Sequence, residues 1–145
     1  MASTLDGEAA IERLALAMIA CTLPKAQWTH EAHFALALWL ARHRHELTAP
    51  DALRALITRY NMATGTANSD TSGYHHTITR ASMRGVRAQL DVAGERASLD
   101  EILKGLMASP LGRADWLLAY WSRDVLFGVA ARRTWVEPDL APLPW

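Results

Sequence analysis

His30 and His33 stand three residues apart just after Thr29, and His75 and His76 are adjacent just after Gly73 and Tyr74. Imidazole titrates near neutral pH and is the commonest metal ligand, so two such pairs in a small chain are the first candidates for chemistry. His30, His33 and His75 would make a three-imidazole set with an open position for water, as in catalytic zinc sites. These three are the candidate catalytic residues, either as ligands of one transition-metal ion, zinc or iron, or as acid/base groups. Tyr74, Thr77, Thr79, Asn61 and Thr29 offer hydroxyl and amide groups around them and are the candidate ligand-positioning residues. A metal-free alternative uses the same place: the backbone N–H groups of two helix N-termini, with the Thr29, Ser72 and Thr77 hydroxyls, suit a carboxylate or phosphate.

The residues meet only if the elements that carry them do. Alanine, leucine and arginine dominate, and no stretch alternates apolar and polar residues over a strand's length, so an all-α fold is expected. A first helix is expected over residues 8–21, stopped by Pro24. A second follows Thr29, a good N-cap, to about residue 45, and its stretch 32–41 is apolar except at His33, which marks it as the most enclosed helix. A third spans 51–62 with Leu53, Leu56, Ile57 and Tyr60 on its apolar face. A fourth spans 73–92, capped by Ser72 or Asp70, and a fifth begins at Leu99 behind Ser98. The aromatic-rich segment 114–127 reads as a further helix, and residues 135–145 as a proline-rich strap. The whole is expected to be a single compact domain, a helical bundle of five or six helices.

If successive helices run antiparallel, the second and fourth present their N-termini at the same end, where both histidine pairs lie. The positive end of a helix disfavours imidazolium, so these rings are expected to be neutral. Residues 63–73 are small, polar and glycine-containing, a loop long enough to cover that end. The bland alternative for His33 is a core histidine bonded to Thr79 or Tyr74. His76, with Arg80, Arg84 and Arg87, reads as part of a solvated face.

Fifteen basic residues balance fifteen acidic ones, which removes the electrostatic term that nucleic-acid binding needs. The longest apolar runs, residues 14–21 and 34–41, fall well short of the roughly 20 residues of a membrane span. The lone cysteine, Cys21, has no internal partner, and the acidic start of the chain lacks the pattern of a secretory leader, so a cytoplasmic location is expected. A bias to arginine over lysine fits a bacterial origin. Cys21, at the negative end of the first helix, is a poor nucleophile. Glu31 and Asp70 suit helix N-termini better than catalysis. Trp39 is expected in the core, and Trp116, Tyr120 and Trp121 either pack the bundle or form a homodimer surface.

W-T-H-E-A-H (residues 28–33), G-Y-H-H-T-I-T (73–79) and the tail S-R-D-V-L-F…W-V-E-P-D-L-A-P-L-P (122–144) give the chain a resemblance to a group of small bacterial helical proteins. Their pattern is [F/W]-T-H-x-x-H and Y-H-x-T-x-T, with a W-V-E-P-D-L-x-P-L-P tail. The resemblance implies that His30, His33, His75, Thr77 and Thr79 act as one constellation, and implies no named activity. His76 stands where such sequences often carry glutamate, so any acid/base work done by that carboxyl would be lost or altered here. In the tail, Arg132, Glu137 and Asp139 are expected to pin the strap across the bundle.

Three functions remain open on these grounds. The first is a small-molecule site, or an enzyme, built on the three histidines. The second is a non-catalytic binder of an anionic metabolite. The third is a structural or dimeric interaction protein whose histidines only satisfy its own backbone.

Overall fold

The computed structural model describes residues 5–145; residues 1–4 of the acidic N-terminal stretch lie outside the described residues. The described chain is all-α, with seven helices and no strand. The helices are α1 (Glu8–Ile19), α2 (His30–His43), α3 (Pro50–Ala63), α4 (His76–Ala93), α5 (Leu99–Ala108), α6 (Arg123–Leu126) and α7 (Val129–Arg133). No helix among the described residues is long and apolar enough to cross a membrane.

The apolar run of α2 explains its position. Every residue from Phe34 to Leu40 is buried, and α2 packs on α1, α4 and α5 together. Its start is set locally, because the Thr29 hydroxyl accepts a hydrogen bond from the Ala32 N–H at 3.2 Å. Ser98 caps α5 in the same way through the Glu101 N–H. Pro50 opens α3, where its missing N–H costs nothing. α1 ends at Ile19, followed by Cys21 in a left-handed conformation (φ 58°) while the Thr22 N–H returns to the Ala17 carbonyl.

The segment expected to be one helix over 114–127 is broken. It forms a 3-10 turn at Trp116–Ala119 and then the short α6, restarted by the Ser122 hydroxyl as N-cap. The tail supplies the reason. The Ser122 N–H donates to Asp139 at 2.8 Å and the Tyr120 carbonyl accepts from the Leu140 N–H at 2.9 Å, so these backbone groups are taken by tail residues. The fully buried Trp121 donates from its indole N–H to the Val136 carbonyl at 2.9 Å, and the terminal Trp145 packs edge-on against Trp116. Gly85 on α4 leaves the space that the Trp145 ring occupies; a Cβ there would approach that ring to 3.1 Å.

Arg84 and Arg87 are not simply solvated, contrary to the expected charged face. The Arg84 guanidinium sits over the Trp135 ring at 4.3 Å, and Arg87 donates to the Thr48 hydroxyl at 3.1 Å. Trp39, Trp116 and Trp121 are all core residues.

α3 packs chiefly on α1 and on the 3-10 turn His45–Thr48, whereas α4 packs on α2, α5 and α7. A cleft between α3 and α4 is left with α2 as its floor, and it lies among the residues singled out above.

Candidate functional site

The three candidate histidines are drawn to three different backbone carbonyls. His30 donates from Nε2 to the Leu111 carbonyl at 2.7 Å and meets Phe34 edge-on. His33 donates from Nδ1 to the Thr29 carbonyl at 2.6 Å. His75 donates from Nε2 to the Leu126 carbonyl at 2.7 Å, and its Nδ1 accepts from the Ile78 N–H at 3.1 Å, which makes His75 itself the N-cap of α4. Ser72 and Asp70, the expected caps, do not serve; Asp70 pairs with Arg133 instead. With both nitrogens of His75 committed, the ring is one neutral tautomer, and burial lowers its pKa against the opposing Leu126 bond. No group of three or more histidine, cysteine, aspartate or glutamate side chains among the described residues is arranged to hold a metal ion.

Several other candidate residues do architectural work. Thr77 is fully buried, donates to the Thr134 carbonyl at 2.8 Å and accepts from the Val136 N–H at 3.2 Å, so it ties the tail to α4. Thr29 caps α2. Asn61 donates to the Asn68 side-chain oxygen, which also accepts from the Tyr74 N–H at 3.1 Å. Gly73 is required next to it: its φ is +77°, and a Cβ would come within 2.5 Å of the Ala67 carbonyl oxygen. Arg132 holds the carbonyls of Gly73 and Tyr74 at 2.9 and 3.3 Å. The expected cover is therefore a buttress, since residues 63–73 position Tyr74 and contribute no wall to the cleft.

His33, Thr79 and Tyr74 are brought near one another. The cleft narrows to a slot of about 60 Å³, walled by His33, Leu36 and Ala37 from α2, Leu53 and Ile57 from α3, and Ile78, Thr79, Ser82 and Met83 from α4, with Trp28 at its edge. The His33 ring stacks on Trp28, and its Nε2 has no partner among the described residues. Part of the ring stays open to solvent, but its apolar surroundings desolvate it and lower its pKa to about 4, against the Thr29 bond. It is a neutral imidazole with Nδ1–H donated and Nε2 left as an acceptor.

Beside the slot, Tyr74 meets the His76 Nδ1 through its hydroxyl at 2.9 Å, with the Arg54 guanidinium over its ring at 5.1 Å. Burial raises the Tyr74 pKa, opposed by Arg54, Thr79 and Arg80, so the phenol is a neutral donor. His76 is half-buried and not part of a solvated face; burial, then Arg54 and Arg80, lower its pKa, and Asp51 opposes them. The sequence reading missed Arg54 and Trp28 as site residues. The available signal was the α3 apolar face, whose Leu53 and Ile57 line the cleft left between α3 and α4.

Larger surface hollows among the described residues include ones of about 640 and 560 Å³ and one of about 310 Å³ beside Trp116 and Leu118. The first is rimmed by Arg42 and Arg87, whose guanidiniums are already spent on the Ala97 and Gly94 carbonyls and on Thr48. The second lies beside α1 at Leu14, Leu23 and Arg13 and reaches Thr29 and Glu31 on either side of His30. The small slot is the better site because it is apolar with few convergent polar groups.

No protein-family model, curated protein or solved structure matches this chain.

Proposed function

We propose that this protein is a binding domain for a small molecule that places a compact apolar group in the slot between α3 and α4 and gives a hydrogen bond to His33. Size sets the first limit: at about 10–15 Å³ per water-sized group, a slot of about 60 Å³ admits roughly four to six such groups. The walls set the second, since Leu36, Leu53, Ile57, Ile78 and Met83 favour an aliphatic or small aromatic body.

The observation that carries the reading is the state of His33. Its Nδ1–H is spent on Thr29, so Nε2 is left as an acceptor on a residue that lines an apolar slot and is partly open to solvent. An O–H or N–H donor satisfies it, and a purely apolar ligand leaves it unpaired. Binding is favoured over proton transfer, because a base with a pKa of about 4 is far from the operating range of a general base at neutral pH.

Isobutanol is a suitable probe, having a branched apolar body and one hydroxyl. Titration followed by NMR should give saturable shifts at Ile57, Ile78 and Met83. His33→Phe keeps a flat ring on Trp28 and removes the acceptor, so the affinity should fall roughly five- to tenfold. Equal affinity in the variant, or no saturable shift in the native protein, contradicts the reading.

A further inference from the structure

Arg54 and Arg80 bring positive charge to Tyr74 and His76, which adjoin the slot through Thr79. Arg80 lies one turn beyond His76 on α4, on the same face, and has no ion-pair or hydrogen-bond partner among the described residues. Arg54 donates through Nη2 to the Arg133 carbonyl, yet its buried Nε has no partner. Between them, Tyr74 and His76 share one hydrogen bond, and Thr79, a slot residue, lies against the Tyr74 hydroxyl. Of the acids, Asp70 is paired with Arg133, and Asp51 is the one that acts on His76. A buried guanidinium N–H without an acceptor, near a second guanidinium with no partner among the described residues, leaves cationic donors that lack an oxyanion, with the Tyr74–His76 pair beside them.

We propose that Arg54, Arg80, Tyr74 and His76 form a shelf for an oxyanion, the carboxylate or phosphate head of a ligand whose apolar body enters the adjoining slot. The shelf supplies charge-assisted donors, and the slot selects the body. The body half of this inference rests on the slot reading above; the anion half stands on the arginines alone. Arginine suits both oxyanions because its planar fork matches two oxygens at once.

The test uses three probes at constant ionic strength: isobutanol, isobutyrate and inorganic phosphate, titrated calorimetrically into the native protein, Arg80→Gln and Arg123→Gln. Arg123 is exposed on α6 and serves as a control for general loss of charge. Isobutyrate should bind roughly tenfold tighter than isobutanol. Arg80→Gln should abolish that advantage while leaving the melting temperature and isobutanol binding unchanged, and Arg123→Gln should preserve it. Phosphate should bind the native protein, lose its affinity in Arg80→Gln, and displace isobutyrate but not isobutanol if the ligand head is a carboxylate seated at the same shelf. Phosphate binding that outlasts Arg80→Gln, or isobutyrate no tighter than isobutanol together with no binding of phosphate, overturns the shelf. Isobutanol failing to bind while phosphate binds and depends on Arg80 upholds the shelf and removes the slot reading instead.

Discussion

The imidazole of His33 lies flat on the indole of Trp28, with ring centroids 3.7 Å apart and planes inclined by 25°. That contact removes hydration from one face of the ring, and the apolar residues of the slot that both rings line add to the effect. Protonation is disfavoured in the folded chain, with a pKa of about 4 against an ordinary value of 6.5.

Acid stability should report this directly. As pH falls, the unfolded chain takes up the His33 proton before the folded one does, so the contribution is fully present above about 6.5 and is lost on the way down towards about 4. The pKa values of His75 and His76 are lowered too, and they act with the same sign. Asp70, Asp100 and Asp139 are held below the ordinary carboxylate range, so their contributions are lost only at lower pH. The melting temperature should fall between those two pH values, and His33→Phe should flatten the fall. An unchanged slope in the variant would show that desolvation of His33 is not the cause.

His75 makes two separable contributions. His75→Ala removes the cap of α4 and leaves the Leu126 carbonyl without its donor, for a loss of about 2–3 kcal/mol in urea denaturation. His75→Asn retains a capping acceptor for the Ile78 N–H and should recover about 1 kcal/mol of it. Equal losses in both variants would mean that the cap is not what the ring supplies.

Thr77 is the stitch between α4 and the tail. Thr77→Val keeps the shape and strips both hydrogen bonds, leaving the Thr134 carbonyl and the Val136 N–H unsatisfied, at a cost of about 2 kcal/mol. Hydrogen exchange at Val136 and at the Trp121 indole should quicken together, since both depend on the same tail segment. Unaltered exchange there would place the tail's anchorage elsewhere.

Gly73 sets the position of Tyr74. An alanine there meets both a left-handed φ and the Ala67 carbonyl, so Gly73→Ala should destabilise by more than about 1 kcal/mol. It should also weaken binding at the neighbouring shelf, which phosphate titration would register. A variant with native stability and native phosphate affinity would contradict the role given to this turn.

Local chemistry made much of the fold readable. The Thr29 and Ser98 caps, Pro50 and the apolar run of α2 each act within one or two turns, and the helices they predict are present. The breaks come from afar: residues 114–127 fail to form one helix because Asp139, Leu140 and Val136 bind groups that no neighbouring residue reveals. The same holds at the site. His30 and His75 are spent on carbonyls 81 and 51 residues away, partners that the positions of the two helix starts do not reveal. His33 stayed near Thr79, but Arg54 and Trp28 entered the site through a gap between α3 and α4 that only the packing defines.

Intermolecular NOEs from isobutanol to methyl-labelled protein address binding in the slot most directly. Cross-peaks from the ligand methyls to Ile57, Ile78 and Met83 are predicted, with none to the exposed Val92 or Leu140, and they should weaken several-fold when His33→Phe is titrated at the same sub-saturating concentration. NOEs spread over the exposed apolar residues, or absent from these three, would contradict a small-molecule site between α3 and α4.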